Sequence, residues 1–223
     1  MSIVNAGLDL SGIETQTKSP KGGALKRAFD VTIASIMLFC ALPAIFFIMV
    51  TMFSIDRGPV FFSHERVGHR GKKFRCLKFR SMIVNSKEAL ERHLEMFPLA
   101  REEWEATQKL RNDPRITPLG KFLRDTSLDE LPQLINIIRG DMSLVGPRPI
   151  VQDEIVRYAN DITAYASMRP GLTGLWQVSG RSDVDYEQRV RLDAEYARNW
   201  SFIGDIVIML RTVKVVLMRT GSR

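Results

Sequence analysis

Cysteine is scarce: the 223 residues hold two, Cys40 inside an apolar run and Cys76 in a basic block. Neither a disulfide framework nor a cysteine metal site has the spacing it needs, and a reducing, cytoplasmic setting suits the soluble part. Histidine is as sparse, and His64, His69 and His93 show no HxxxH-type spacing, which leaves them structural or surface roles. There is no internal repeat and no low-complexity tract, and a hydrophobic content of 45% argues against disorder throughout. The most informative absence is charge: residues 31–55, "VTIASIMLFCALPAIFFIMVTMFSI", carry none.

What is present is an excess of cations, +7 overall with a pI near 9.6, which calls for an acidic partner: nucleic acid, an anionic membrane surface or a phosphorylated substrate. Residues 56–80 hold most of that excess, with eight Lys and Arg against Asp56 and Glu65, a net +6. A basic block directly after an apolar one reads as a membrane boundary before it reads as a nucleic-acid surface.

Twenty-five uncharged residues make about 37 Å of helix, enough for a hydrocarbon core of about 30 Å. The run is too long for a cleaved leader, and "SIDRGPVFF" offers no small-residue cleavage site. It is a simple span, a buried core helix or a re-entrant hairpin. Cations flank it on both sides, so both ends prefer the same side of a membrane, which disfavours a single crossing. Pro43, near the middle, removes one backbone hydrogen bond and predicts a break, with Thr32, Ser35 and Thr51 placed to satisfy freed groups.

The remainder predicts a flexible polar tail over residues 1–23, a membrane helix over 24–56 and a catalytic or scaffold domain over 57–223. Within that domain, "PVFFSHERVGHRGKKFRCLKFRSM" reads as a strand pair around a basic turn, and residues 86–111 as helix interrupted at Pro98. "FIGDIVIMLRTVKVVLM" is a largely apolar helix that either lies in the headgroup region with Arg211 and Lys214 snorkelling or closes the core.

The neighbouring acids of "TSLDELPQL" carry two readings. Ser127 followed by Glu130 fits a capping box, with Asp129 an ordinary first-turn acid. Alternatively, a helix start that lowers a carboxyl pKa also attracts phosphate. An ionised Asp129 there can attack phosphorus, with a divalent cation offsetting the charge of two anions and Arg124 offering a further cation. Arg148, between Pro147 and Pro149, presents a planar fork that suits a diphosphate or a base edge. "RPGLTGLWQVSGR" reads as a loop built against a ligand, although a turn-rich connection has the same residue types.

Taken in order, "KRAFD", "LKFRSM", "TSLDELPQL", "GDMSLVGPRP" and "RPGLTGLWQVSGR" resemble the bacterial sugar transferase family of monotopic phosphoglycosyl transferases over residues 24–218, most of all the exopolysaccharide initiators of rhizobial type. The resemblance implies an α+β fold: a small, mainly helical catalytic domain with a short hairpin, anchored by a re-entrant helix broken at Pro43 and by amphipathic interfacial helices. It implies transfer of a sugar 1-phosphate, galactose or glucose by preference, from a UDP-sugar to undecaprenyl phosphate with release of UMP, the initiating step of exopolysaccharide assembly. Asp129 is then the nucleophile, with Glu130 completing the dyad and helping it hold Mg²⁺ (or Mn²⁺). Arg148, Pro147 and Pro149 contact the UDP part, Arg124 faces the lipid phosphate, and Lys78 and Arg80 make phosphate or structural contacts. Implied partners are the donor, the polyprenyl phosphate, the cytoplasmic face of the bacterial inner membrane and downstream glycosyltransferases, with no nucleic acid. Larger members carry several N-terminal spans, so a minimal catalytic unit is expected.

A glycosidase using Asp129 and Glu130 fits poorly, because adjacent side chains cannot flank a glycosidic bond from opposite faces. The non-enzymatic rival is a membrane-attached scaffold whose acids only cap a helix. A nucleic-acid binder needs its basic block exposed and binding that weakens with salt.

Overall fold

The computed structural model describes residues 19–55, 57–107, 110–180 and 184–217. Most of the expected tail, residues 1–18, lies outside them, as does Arg181. Within the tail's end, Lys21 is tied down: its Nζ donates to the Ala197 carbonyl at 2.7 Å.

The architecture is mainly helical with two small sheets. Helix α1 (Gly23–Ile55) begins at Gly23, which like Gly22 before it has a positive φ, and runs through the whole apolar segment. The basic stretch forms the expected hairpin, β1 (Phe61–Val67) and β2 (Lys73–Phe79), antiparallel with Phe62 opposite Lys78, His64 opposite Cys76 and Arg66 opposite Phe74. Helices α2 (Ser86–Met96) and α3 (Pro98–Thr107) confirm the break at Pro98, which opens the second helix, where its missing N–H costs nothing. In α4 (Pro118–Asp125) the Thr117 side chain caps the Gly120 amide and Pro118 sits in the first turn. Helix α5 (Gln133–Arg139) stops at Gly140, whose φ of 96° is the left-handed stop that glycine tolerates.

The segment read as a loop contributes a strand to a second sheet. Strand β3 (Ser143–Val145) pairs in parallel with β4 (Gly171–Thr173), Ser143 opposite Gly171 and Val145 opposite Thr173. This corrects the reading of "RPGLTGLWQVSGR" as loop throughout: three residues are too short for an alternating pattern to register, and the pairing is non-local. Between the strands lie α6 (Ile155–Tyr158) and α7 (Ile162–Ala166); after them come α8 (Leu175–Val178), α9 (Tyr186–Arg198) and α10 (Phe202–Leu217).

One core cluster joins Ala34 of α1, Cys76, Leu134 and Ile137, Leu144 and Val145, Ala197 and Ile208. A second surrounds Val67, Ile150, Tyr158, Tyr165 and Val190. A third packs Ile48 and Met52 of α1 on Phe79 and Leu123. The three residues of "KRAFD" that carry charge dock α1. Lys26 pairs with Asp205 at 2.5 Å, Arg27 donates to the carbonyls of Ile137 and Ile138, and Asp30 accepts from the Ser143 hydroxyl and the Leu144 amide.

In α1 the backbone stays helical through Pro43. Thr51 donates to the Phe47 carbonyl, within its own turn, and does not serve the carbonyl that Pro43 frees. Helix α10 closes the core with Asp205 and Ile208, which are buried, while Ile203, Leu210 and Val213 are exposed.

Candidate active site

Asp129 and Glu130 stand on a single 3₁₀ turn, Leu128–Glu130, between α4 and α5. The capping box is not formed: Ser127 adopts a left-handed conformation (φ 57°) and its side chain caps nothing. The turn is instead seated by the leucines that flank the acids, since Leu128 and Leu131 pack on the cluster of Ile48, Met52, Phe79 and Leu123. The acid pair is thereby set beside the apolar helix.

Lys78 reaches the pair from β2, with its Nζ 2.7 Å from Glu130 Oε1 and 3.7 Å from Asp129 Oδ2. Burial opposes its charge, yet the two carboxylates outweigh burial and hold its ammonium above the usual lysine range. Asp129 goes the other way from expectation. Burial pushes its carboxyl up, helped by Glu130, and outweighs Lys78 and Arg124. A three-residue turn has too little dipole to reverse that.

Two adjacent carboxylates are a donor set that suits a hard divalent cation such as Mg²⁺, which takes one or two protein oxygens and fills its remaining positions with water and substrate phosphate. Among the described residues no group of three or more His, Cys, Asp or Glu forms a metal cage.

The other expected residues separate into roles. Arg124 is exposed, donates from Nε to Ser81 Oγ at 2.8 Å and acts electrostatically on Asp129. Arg80 packs against Gly58 in the connection from α1 to β1, where an added Cβ would lie 2.8 Å from its Cζ. Its amide donates to the Val60 carbonyl.

Pro147 and Pro149 are fixed through their carbonyls, which accept from the Gly171 amide and from Arg66 Nη1. Arg148 places Nη1 3.6 Å from Glu154 and donates its amide to Asp193 Oδ2.

The hairpin joins the two groups. Phe62, His64 and Arg66 share a face with their partners Lys78, Cys76 and Phe74. His64 feels Arg66 and Glu154 on one side and Lys78 on the other, and burial together with Arg66 holds its imidazole below the ordinary range. The acids therefore occupy one end of this face and the Pro-Arg-Pro the other.

Residues that sequence reasoning missed are Asn136, Glu154, Arg189 and Asp193. Asn136 is buried, accepts from the Leu77 amide and donates to the Arg75 carbonyl, locking β2 onto α5. Each lies in an ordinary helical segment, where only its tertiary partner reveals it.

This arrangement belongs to a known class: the chain matches the bacterial sugar transferase family over residues 22–219 and is a member of it. Among its relatives is the UDP-galactose-lipid carrier transferase of Erwinia amylovora, 56% identical over 89% of this chain and 41% of the relative. The undecaprenyl-phosphate galactose phosphotransferase of Salmonella typhimurium is 53% identical with the same coverage. The chain thus spans about two fifths of the length of these two proteins. The exopolysaccharide production protein ExoY of Rhizobium meliloti is 51% identical over 94% of this chain and 92% of its own length.

Proposed function

We propose that the protein transfers a sugar 1-phosphate from a UDP-sugar to undecaprenyl phosphate, initiating an exopolysaccharide repeat unit at the cytoplasmic face of the bacterial inner membrane. The observation that carries this reading is the Asp129–Glu130 pair on a turn seated against the apolar helix. A phosphate-directed carboxylate site at a membrane boundary is where a soluble nucleotide donor and a lipid acceptor meet. The two enterobacterial relatives are named for galactose, and an Escherichia coli relative, 39% identical, is named for glucose.

Asp129 Oδ attacks the phosphorus that bears the sugar. The bond from that phosphorus to the UMP oxygen breaks, and UMP leaves with the electron pair. An oxygen of the polyprenyl phosphate then attacks the same phosphorus and releases the Asp129 carboxylate. Lys78 balances the charge of Asp129 throughout and is itself oriented by its hydrogen bond to Glu130. Asp129 and Glu130 would hold Mg²⁺ (or Mn²⁺), whose charge offsets that of carboxylates and diphosphate brought together. Arg124 faces the lipid phosphate and Arg148 the UDP part.

Helix α1 enters and leaves one leaflet in this reading. Lys26, Asp30, Ala34, Leu38, Ala41, Ile45, Ile48 and Met52, three or four residues apart, form one stripe of lower exposure along its length. Phe39, Leu42, Phe46, Phe47 and Phe53 are exposed on other faces. A helix whose two ends both pack on one globular unit is poorly placed to cross a bilayer.

The test is UMP release from a panel of UDP-sugars with Mg²⁺, with and without undecaprenyl phosphate. Lipid-dependent release is expected, lost in Asp129→Asn, severely reduced in Glu130→Gln, and stopped by chelation of divalent metal. Persistent turnover in the Asp129 variant would sink the covalent route, and no release from any donor would favour the scaffold.

A further inference from the structure

The end of the hairpin face away from the acids holds Arg148 among side chains that the chemistry at Asp129 leaves unused. Arg66 comes from β1, Arg148 from the Pro-Arg-Pro, Glu154 from the 3₁₀ turn Gln152–Glu154, Trp176 from α8, and Tyr186 and Arg189 from α9. Arg189 lies 4.5 Å from the Trp176 ring centre and 5.5 Å from that of Tyr186, and Arg148 lies 5.9 Å from the same indole.

The charges do not balance. Three guanidiniums surround Glu154, whose Oε2 already accepts from the Val151 amide at 2.9 Å. Its contacts to Arg66 and Arg148 are long, 3.8 and 3.6 Å, too far for the forked hydrogen bonds these groups make. Arg66 and Arg189 are each held below the usual arginine range, by burial first and then by Arg148. Counting the buried Asp193 as fully ionised still leaves a positive excess. Among the described residues, three buried donors here also lack an acceptor: Arg189 Nε, Trp176 Nε1 and the Tyr186 hydroxyl. Natural structures rarely leave such groups unpaired unless a ligand or water completes them.

We propose that Arg66, Arg148, Arg189, Trp176 and Tyr186 form the nucleoside-diphosphate site, in which Arg189, held by the two aromatic rings, grips the diphosphate beside Arg148. The proposal rests on the donor being a UDP-sugar and names the residues that read its nucleotide half.

Position favours the nucleotide over the lipid phosphate, since both are anions. The exposed Phe61 and Phe62 lie at the Lys78 end, alongside the part of α1 that packs on Phe79. A lipid phosphate arriving from the membrane meets that end first. Four residues of strand, about 13 Å, separate Phe62 from Arg66, comparable with the span of an extended nucleoside diphosphate whose terminal phosphorus lies at Asp129.

The test is calorimetric titration of UDP into the full chain held in lipid nanodiscs with Mg²⁺, for wild type, Arg189→Gln, Arg189→Lys and Trp176→Phe, each checked for an unchanged melting midpoint. At least tenfold weaker UDP binding is expected in Arg189→Gln, partly restored in Arg189→Lys, and several-fold weaker binding in Trp176→Phe. In steady state, the KM for UDP-sugar rises with a smaller change in kcat, while the KM for polyprenyl phosphate stays within twofold. Wild-type affinity in both Arg189→Gln and Trp176→Phe overturns the proposal, as does a rise in the KM for polyprenyl phosphate instead of UDP-sugar. If wild type fails to bind UDP yet turns over UDP-sugars, the site is refuted and the reaction stands. Should UDP binding depend on Arg189 while no UDP-sugar is turned over, the site stands and the proposed reaction falls.

Discussion

Asn136 shows how much a single buried amide holds. Removing its side chain leaves the Leu77 amide and the Arg75 carbonyl without their partners in a buried seam. Asn136→Ala should cost about 3 kcal/mol, at roughly 1–3 kcal/mol for each buried group left unpaired, and a lowered melting midpoint checks it. Asp193 sets a pH dependence. Burial pushes its carboxyl up to about 7 against the hydrogen bond from Tyr158. The folded chain thus holds this proton more tightly than the unfolded chain, whose carboxyl keeps its ordinary value of 3.8. The stabilisation is complete below that value and is lost as pH rises through about 7. Melting midpoints from pH 5 to pH 7.5 should fall more steeply in wild type than in Asp193→Asn; equal slopes would count against the assignment.

At the level of single elements, α1 and the turn before α4 make the sharpest claims. With both ends of α1 on one side of the membrane, cysteines introduced at Ser19 and Arg57, in a Cys40→Ser background, should react together with an impermeant thiol reagent from the same side. Labelling of one end only would identify a simple span. Gly120 packs so closely on the end of the hairpin that an added Cβ would lie 2.7 Å from Ser81 Cα. Gly120→Ala should therefore push Ser81 away from α4 and from its partner Arg124 on that helix, at about 1–3 kcal/mol for overpacking, read as a lower melting midpoint. The hairpin was legible from its aromatic and branched residues, and the helix pair 86–107 from Pro98, because those signals are local. The parallel pair β3–β4 was not, since its strands are 28 residues apart and each is three residues long.

Across the whole molecule, one buried charge pair joins the start of α1 to α10. Lys26 Nζ also donates to the Val145 carbonyl, and Asp205 accepts from the Tyr196 hydroxyl and the Trp200 indole. Breaking such a pair leaves an uncompensated charge, so Lys26→Met or Asp205→Leu alone should each destabilise by about 3–5 kcal/mol. The double substitution should cost less than either single one, and a double-mutant cycle on thermal melts measures the difference. Contiguous residues by themselves determined the apolar helix, the hairpin, the acidic pair and the rigid Pro-Arg-Pro, because periodicity, charge and proline stiffness act over a few residues. Tertiary packing alone decided that Lys78 sits on the acids, that burial raises Asp129 instead of lowering it, and that Arg189 joins Arg148. Those outcomes depend on burial and on charges brought together from distant segments, and no local pattern encodes either.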